Sequence, residues 1–188
     1  MVAVPILFVT AKSIYKSLST CCFDINMDAR TFQESHSVVA HPPCRAWGRL
    51  KHFAKPRVDE KELAVFSINL IRRNGGVLEH PAGSSLFKHM GIKLDGSTDQ
   101  YGGYVLSIDQ FWFGHRAQKR TYLYICGCEP GSIPSYVLNF NAVTHTISTS
   151  SKRTGKKECN RSEREATPLK LAEWLIKIAL ICERNKKV

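Results

Sequence analysis

Two short apolar runs constrain this chain more than anything else in it. Val38-Val39-Ala40 is followed by His41-Pro42-Pro43, and Val77-Leu78 by Glu79-His80-Pro81. Apolar runs this short, bounded by turn residues, predict buried strands, and proline ends them because it cannot donate to a ladder and fixes its own φ. Each run delivers a chemically useful side chain at its end, Cys44 after the first and Glu79 in the second. Between them, Asp59 ahead of Glu60 to Arg73, with Leu63, Phe66, Ile68, Leu70 and Ile71 as an apolar stripe, predicts a capped helix closed by Asn74-Gly75-Gly76. If the two strands are parallel, Cys44 and Glu79 come side by side at the carboxyl edge of the sheet, where open α/β sheets do their chemistry.

The remaining segments fit the same architecture. Pro5 to Val9 predicts a first strand, Ser13 to Leu18 a short helix, and Cys21 to Ile25 a second strand with Asp24 and Asp28 near its end. Ser84 to Met90 predicts a short helix. Gly102 to Asp109 and Arg120 to Cys126 predict an antiparallel pair around Phe111-Trp112-Phe113, an aromatic run suited to a hairpin core or to stacking a base. Thr167-Pro168 opens a last helix that buries Leu171, Trp174, Leu175, Ile178 and Ala179. The expectation is therefore a single α/β domain over residues 1–188, with a mainly parallel Rossmann-like sheet, an antiparallel hairpin in its C-terminal half and a flexible basic loop at about 148–164.

Charge and cysteine usage narrow the function classes. With 27 Lys and Arg against 16 Asp and Glu, the formal net charge is +11, which favours a polyanionic partner, nucleic acid first, with DNA favoured. The candidate contacts are Arg45 and Arg49 after Cys44, Arg116, Gln118 and Lys119 beside the aromatic run, and Lys152, Arg153, Lys156 and Lys157 in the basic loop. Seven cysteines without regular spacing argue for reduced thiols and give no zinc-ligand pattern, so no metal is expected. No apolar run approaches the roughly 18 residues of a membrane span, and the start of the chain lacks signal-peptide features, so a cytoplasmic protein without a membrane partner is expected.

Taken in order, these segments resemble the catalytic half of DNA cytosine-5 methyltransferases. His41-Pro42-Pro43-Cys44 is similar to that family's Pro-Pro-Cys loop, Val77 to Pro81 resembles its Glu-Asn-Val motif through the glutamate, and Gln118 to Ile125 resembles its Gln-x-Arg-x-Arg strand with Tyr122 for the second arginine. Asp28 to Phe32 sits where the family keeps an acidic residue, and Thr167-Pro168 is similar to its final motif. The resemblance spans residues 28–127 and 164–180 and implies a methyltransferase-like sheet acting on DNA, with a compact make-up that suits a phage or mobile element. It also implies S-adenosylmethionine, for which Asp24, Asp28 and Thr167 are the candidate residues. The family's Phe-x-Gly-x-Gly loop has no counterpart between Met1 and Asn26.

The chemistry implied is a covalent one. Carbon 5 of cytosine becomes nucleophilic only after a thiolate adds to carbon 6, the role the resemblance gives to Cys44. Glu79 would meet the charge that develops at ring nitrogen 3, and Arg120 would complement charge on the base or a phosphate. His41 and His80 flank these groups as candidate acids or bases, or as satisfied polar groups at strand ends. Three functions stay open: a pyrimidine-modifying enzyme on nucleic acid, a catalytically inactive module binding DNA or a modified base, and an enzyme on free pyrimidine nucleotides.

Overall fold

The six strands of the central sheet are β1 (Ile6–Leu7), β2 (Cys22–Phe23), β3 (Val38–Ala40), β4 (Gly76–Pro81), β5 (Tyr104–Asp109) and β6 (Arg120–Cys126). They lie in the order β2-β1-β3-β4-β6-β5. The first four pair in parallel, while β6 runs antiparallel to both β4 and β5, so that β6 alone points the other way. The structure is a computed structural model and describes residues 4–136, 138–139, 141–147 and 155–185.

Side-chain alternation along the strands splits the core into two layers. Val39, Val77, Leu123 and Ile125 face one side, which is covered by Tyr15 of α1 (Tyr15–Leu18) and by Leu171, Leu175 and Ile178 of a C-terminal helix running from Leu169 to Asn185. Val38, Ala40, Leu78 and Tyr124 face the other, covered by Ala64, Ile68 and Ile71 of α2 (Glu60–Asn74) and by Leu86 and Phe87 of α3 (Leu86–His89). The result is an α/β sandwich with a mixed, mostly parallel sheet.

The turn that ends α2 fixes how β3 meets β4. Gly75, at φ 74°, donates its N–H to the Ile71 carbonyl at 2.7 Å, and Gly76 follows at φ 122° directly against Val38. A Cβ at residue 76 would stand 2.1 Å from the Val38 carbonyl oxygen, so only glycine lets the strands close. From there β4 runs on through Pro81, four residues longer in total than the Val77-Leu78 pair predicts, because β6 pairs with it as far as Pro81↔Thr121.

Two other sequence expectations are corrected. Asp59 stands at the N-cap position of α2 but its carboxylate makes no cap hydrogen bond, turning instead to Arg30 at 3.3 Å and Arg57 at 3.8 Å. The basic stretch expected to be a flexible loop is regular over much of its described part. β8 (Lys157–Glu158) pairs in parallel with β7 (His145–Thr146), and Asn160 caps α4 (Arg161–Glu165) through a reciprocal capping box with Glu163. Lys152 and Arg153 lie outside the described residues. Of the two readings of the aromatic run, the core one holds for Phe113, which is buried between Tyr136 and Trp174, the latter on the long C-terminal helix, hereafter α5, while Phe111 and Trp112 are half-buried.

Candidate active site at the carboxyl edge

The chain leaves β1 for β2 on one side and later returns to β3 on the other, which makes the gap between β1 and β3 a topological switch point. The residues just past these strands gather there. Phe8, directly after β1, takes the left-handed conformation at φ 64°, an uncommon state for a bulky side chain and the kind of backbone strain that clusters at functional sites.

Past β3 and along β4, the parallel register that pairs Ala40 with Leu78 brings His41 next to Glu79. His41 Nδ1 lies 3.1 Å from Glu79 Oε2 and its Nε2 lies 2.9 Å from the Tyr15 hydroxyl. The other carboxylate oxygen, Oε1, accepts from Gln110 Nε2 at 2.8 Å, and the same amide reaches Thr121 Oγ1 at 3.1 Å. Burial works to raise the Glu79 pKa, but the His41 hydrogen bond and the Lys119 charge outweigh it and hold the carboxyl at about 2. An ionised carboxylate only accepts, so Nδ1 of His41 carries the proton in this pair. Tyr15, kept a neutral phenol by burial and by the nearby Glu79 charge, meets Nε2 through its hydroxyl.

Cys44 follows two prolines later, half-buried, at the head of a turn in which its carbonyl accepts from Trp47 N at 3.0 Å and Gly48 N at 2.8 Å. Burial first and Glu79 second push its thiol up, while Lys119 pulls the other way. Thiol and carboxylate thus share one electrostatic environment, with Lys119 as the cation common to both.

Arg120 is not brought to this group. Glu79 pairs with Leu123 and His80 with Tyr122 across the β4–β6 ladder, so Thr121 shares the Glu79 face whereas Arg120 and Tyr122 share the His80 face. The arginine is exposed on the opposite side of the sheet, and the neighbouring Lys119 supplies the charge instead. His80 itself is fully buried with neither ring nitrogen hydrogen-bonded, and burial lowers its pKa to about 4.

The residues assigned to a cofactor do not converge. Asp24 is tied to Lys16 at 2.5 Å and to the Asn26 N–H, and Asp28 is taken up by the Arg30 side chain and N–H. Thr167 lines a surface depression with Gly114, His115, Arg116 and Cys159, against the loop that follows β5, whereas Asp24 follows β2 at the other edge of the sheet. With the sheet five strand spacings wide, that is on the order of 24 Å. With Phe8 and Val9 where a glycine loop would be required, these residues do not fit S-adenosylmethionine, and no chemical step is built on it.

The basic candidates sort differently. Arg45 is committed to the fully buried Glu60 carboxylate, with Nε 2.9 Å from Oε1 and a second contact to Oε2. Arg116 pairs with Glu163 at 2.9 Å. Arg49, Gln118, Lys156 and Lys157 are exposed. Apart from Lys152 and Arg153, all of them belong to the loops past β3 and β5 or to β7–β8, which is bridged to Ala117, so they gather toward the same carboxyl edge as Cys44.

Sequence reasoning missed Tyr15, Gln110 and Thr121. For Gln110 the sequence offered only a polar residue between a strand and an aromatic run; its complete burial, which obliges the amide to hold something, is visible only in the fold. No protein-family model matches the chain, and no curated protein matches it either. Among the described residues, no helix is long and apolar enough to cross a membrane.

Proposed function

We propose that this chain is a nucleic-acid base-modifying enzyme in which Cys44 adds covalently to a pyrimidine ring, with cytosine in DNA as the favoured target. The observation that supports this reading is a thiol within the electrostatic reach of an ionised carboxylate at the carboxyl edge of two adjacent parallel strands, with His41 holding the carboxylate in place.

The resting pair is a protonated Cys44 and an ionised Glu79. When a cytosine docks, the Cys44 proton passes by way of Glu79 to ring nitrogen 3, and the thiolate so formed attacks carbon 6. The S–C6 bond forms, the C5=C6 π pair shifts to carbon 5, and Glu79 meets the charge at nitrogen 3. Carbon 5 then takes up a proton from solvent, loses the original one, and the sulfur leaves with return of its own proton. This cycle balances without a cofactor and exchanges the hydrogen on carbon 5 with water; a lasting modification of the base requires a second electrophile to take the place of that proton at carbon 5. His41 and Gln110 position the carboxylate, and Lys119 offsets the negative charge that the thiolate adds beside it.

The test is intact mass and denaturing gel analysis after incubation with single- and double-stranded DNA carrying 5-fluorocytosine, with and without S-adenosylmethionine, alongside loss of deuterium from 5-deuterocytosine DNA. An adduct mapped to Cys44 and lost in Cys44→Ser is expected, and an added methyl mass dependent on S-adenosylmethionine would restore that donor. Binding without adduct or exchange overturns the reading. One observation favours a second reading, a module that binds a base without attacking it: the Cys44 thiol is pushed up rather than down. In that case Cys44→Ser leaves DNA affinity unchanged and no exchange occurs.

A further inference from the structure

Directly after the Cys44 turn the chain enters a segment that the fold leaves bare. Every residue from 49 to 58 is exposed except the half-buried Ala54. Phe53 is 87% exposed and Leu50 69%, the first at the end of a single 3-10 turn, Lys51–Phe53, and the second directly before it. Arg49, Lys51 and Lys55 alternate with them, and no acidic side chain occurs between Cys44 and Asp59. The segment is nonetheless anchored. Trp47 is buried and donates its ring N–H to the Lys61 carbonyl at 3.0 Å, its own carbonyl accepts from Ser85, and Lys51 Nζ reaches Ser85 Oγ at 3.3 Å.

An aromatic ring held in water among cations is poorly explained as packing, because no described part of the chain covers it. Alternating rings and cations on one short segment match a single strand of nucleic acid, whose bases offer π faces to stack on and whose phosphates take the lysines. A duplex hides those faces. The two long helices, α2 and α5, lie flat on the sheet, so neither projects to enter a major groove.

We infer that residues 49–58 form a docking surface for single-stranded DNA, with Phe53 stacking on an unpaired base and Arg49, Lys51 and Lys55 on flanking phosphates. The inference rests on the base-modifying reading and deepens it: a strand seated here presents an already unpaired base to Cys44, so no base has to be pulled out of a duplex.

The experiment is fluorescence anisotropy of the full chain with an unmodified dye-labelled oligonucleotide of about 20 nucleotides, its matching duplex, RNA of the same sequence and vesicles containing anionic lipid, each over a salt series. The single-stranded DNA is expected to bind most tightly. Phe53→Ala should weaken it by about tenfold without changing the salt slope, and Lys51→Ala with Lys55→Ala should reduce that slope by about 0.7 per lost phosphate contact. Phe53 is exposed, so an unchanged melting curve of Phe53→Ala is the folding control. Equal or tighter binding of the duplex, the RNA or the vesicles overturns the inference, as does a silent Phe53→Ala or a self-association that this substitution abolishes. Because the DNA is unmodified, the result is independent of whether Cys44 forms adducts.

Discussion

His41 and Glu79 stand side by side on adjacent parallel strands, with Nδ1 of the one 3.1 Å from Oε2 of the other, and the same carboxylate charge lifts the thiol of Cys44. The pair therefore couples the two groups of the proposed chemistry: whatever neutralises Glu79 makes Cys44 easier to ionise. Glu79→Gln removes that repulsion while leaving burial in place. Peptide-mapped alkylation by iodoacetamide at neutral pH is expected to label Cys44 about threefold to tenfold faster in the variant, while 5-fluorocytosine adduct formation falls by about 100-fold or more.

Acid should destabilise the protein in two stages. His80 has a folded pKa of about 4 against an ordinary 6.5, so the unfolded chain binds its proton first, and the stability it contributes is complete above pH 6.5 and lost as pH falls through 4. Glu79, at about 2 against 4.5, adds a second loss as pH falls from 4.5 through 2. The His80 stage is worth about 3 kcal/mol. His80→Leu removes a buried ring that has no hydrogen-bond partner, so denaturant titrations are expected to show it no less stable than the parent at pH 7 and flat between pH 6.5 and 4.5.

Arg45 was a candidate for phosphate contact, yet its guanidinium serves a carboxylate with 0% side-chain exposure, while its own side chain is 50% exposed. Arg45→Ala strands Glu60 as an unpaired buried charge. A loss of about 3 kcal/mol in stability is expected from urea unfolding, and Glu60→Gln in the same chain should recover part of it. Lys51→Ala, by contrast, should leave stability within about 0.5 kcal/mol.

Gly76 is the hinge on which β3 and β4 close. Gly76→Ala places a methyl group 2.1 Å from the Val38 carbonyl oxygen at a φ of 122°, and the backbone on both sides has no room to yield. The expected loss exceeds about 4 kcal/mol, read as a collapsed melting transition, whereas Gly91→Ala, with nothing within 4 Å, carries only the penalty of its positive φ.

The local elements were legible in the order of residues. Apolar spacing and glycine placed α2 and the last helix nearly to the residue, and the boundaries of β6 were legible because Arg120 to Cys126 alternates between turn signals. Two proline-stopped runs separated by a helix suit a parallel pair, and the parallel pairing of β3 with β4 supplies the condition on which Cys44 and Glu79 fall at one edge. What completes that edge comes from long-range packing. Tyr15, Gln110 and Glu79 reach their partners across 26, 31 and 38 residues of chain, and periodicity carries no information about contacts that distant. Arg120 makes the limit plain. Alternation requires Arg120 and Thr121 to point to opposite faces, but which of them lies with Glu79 is fixed by the antiparallel register with β4, and a slip of one residue would have exchanged them.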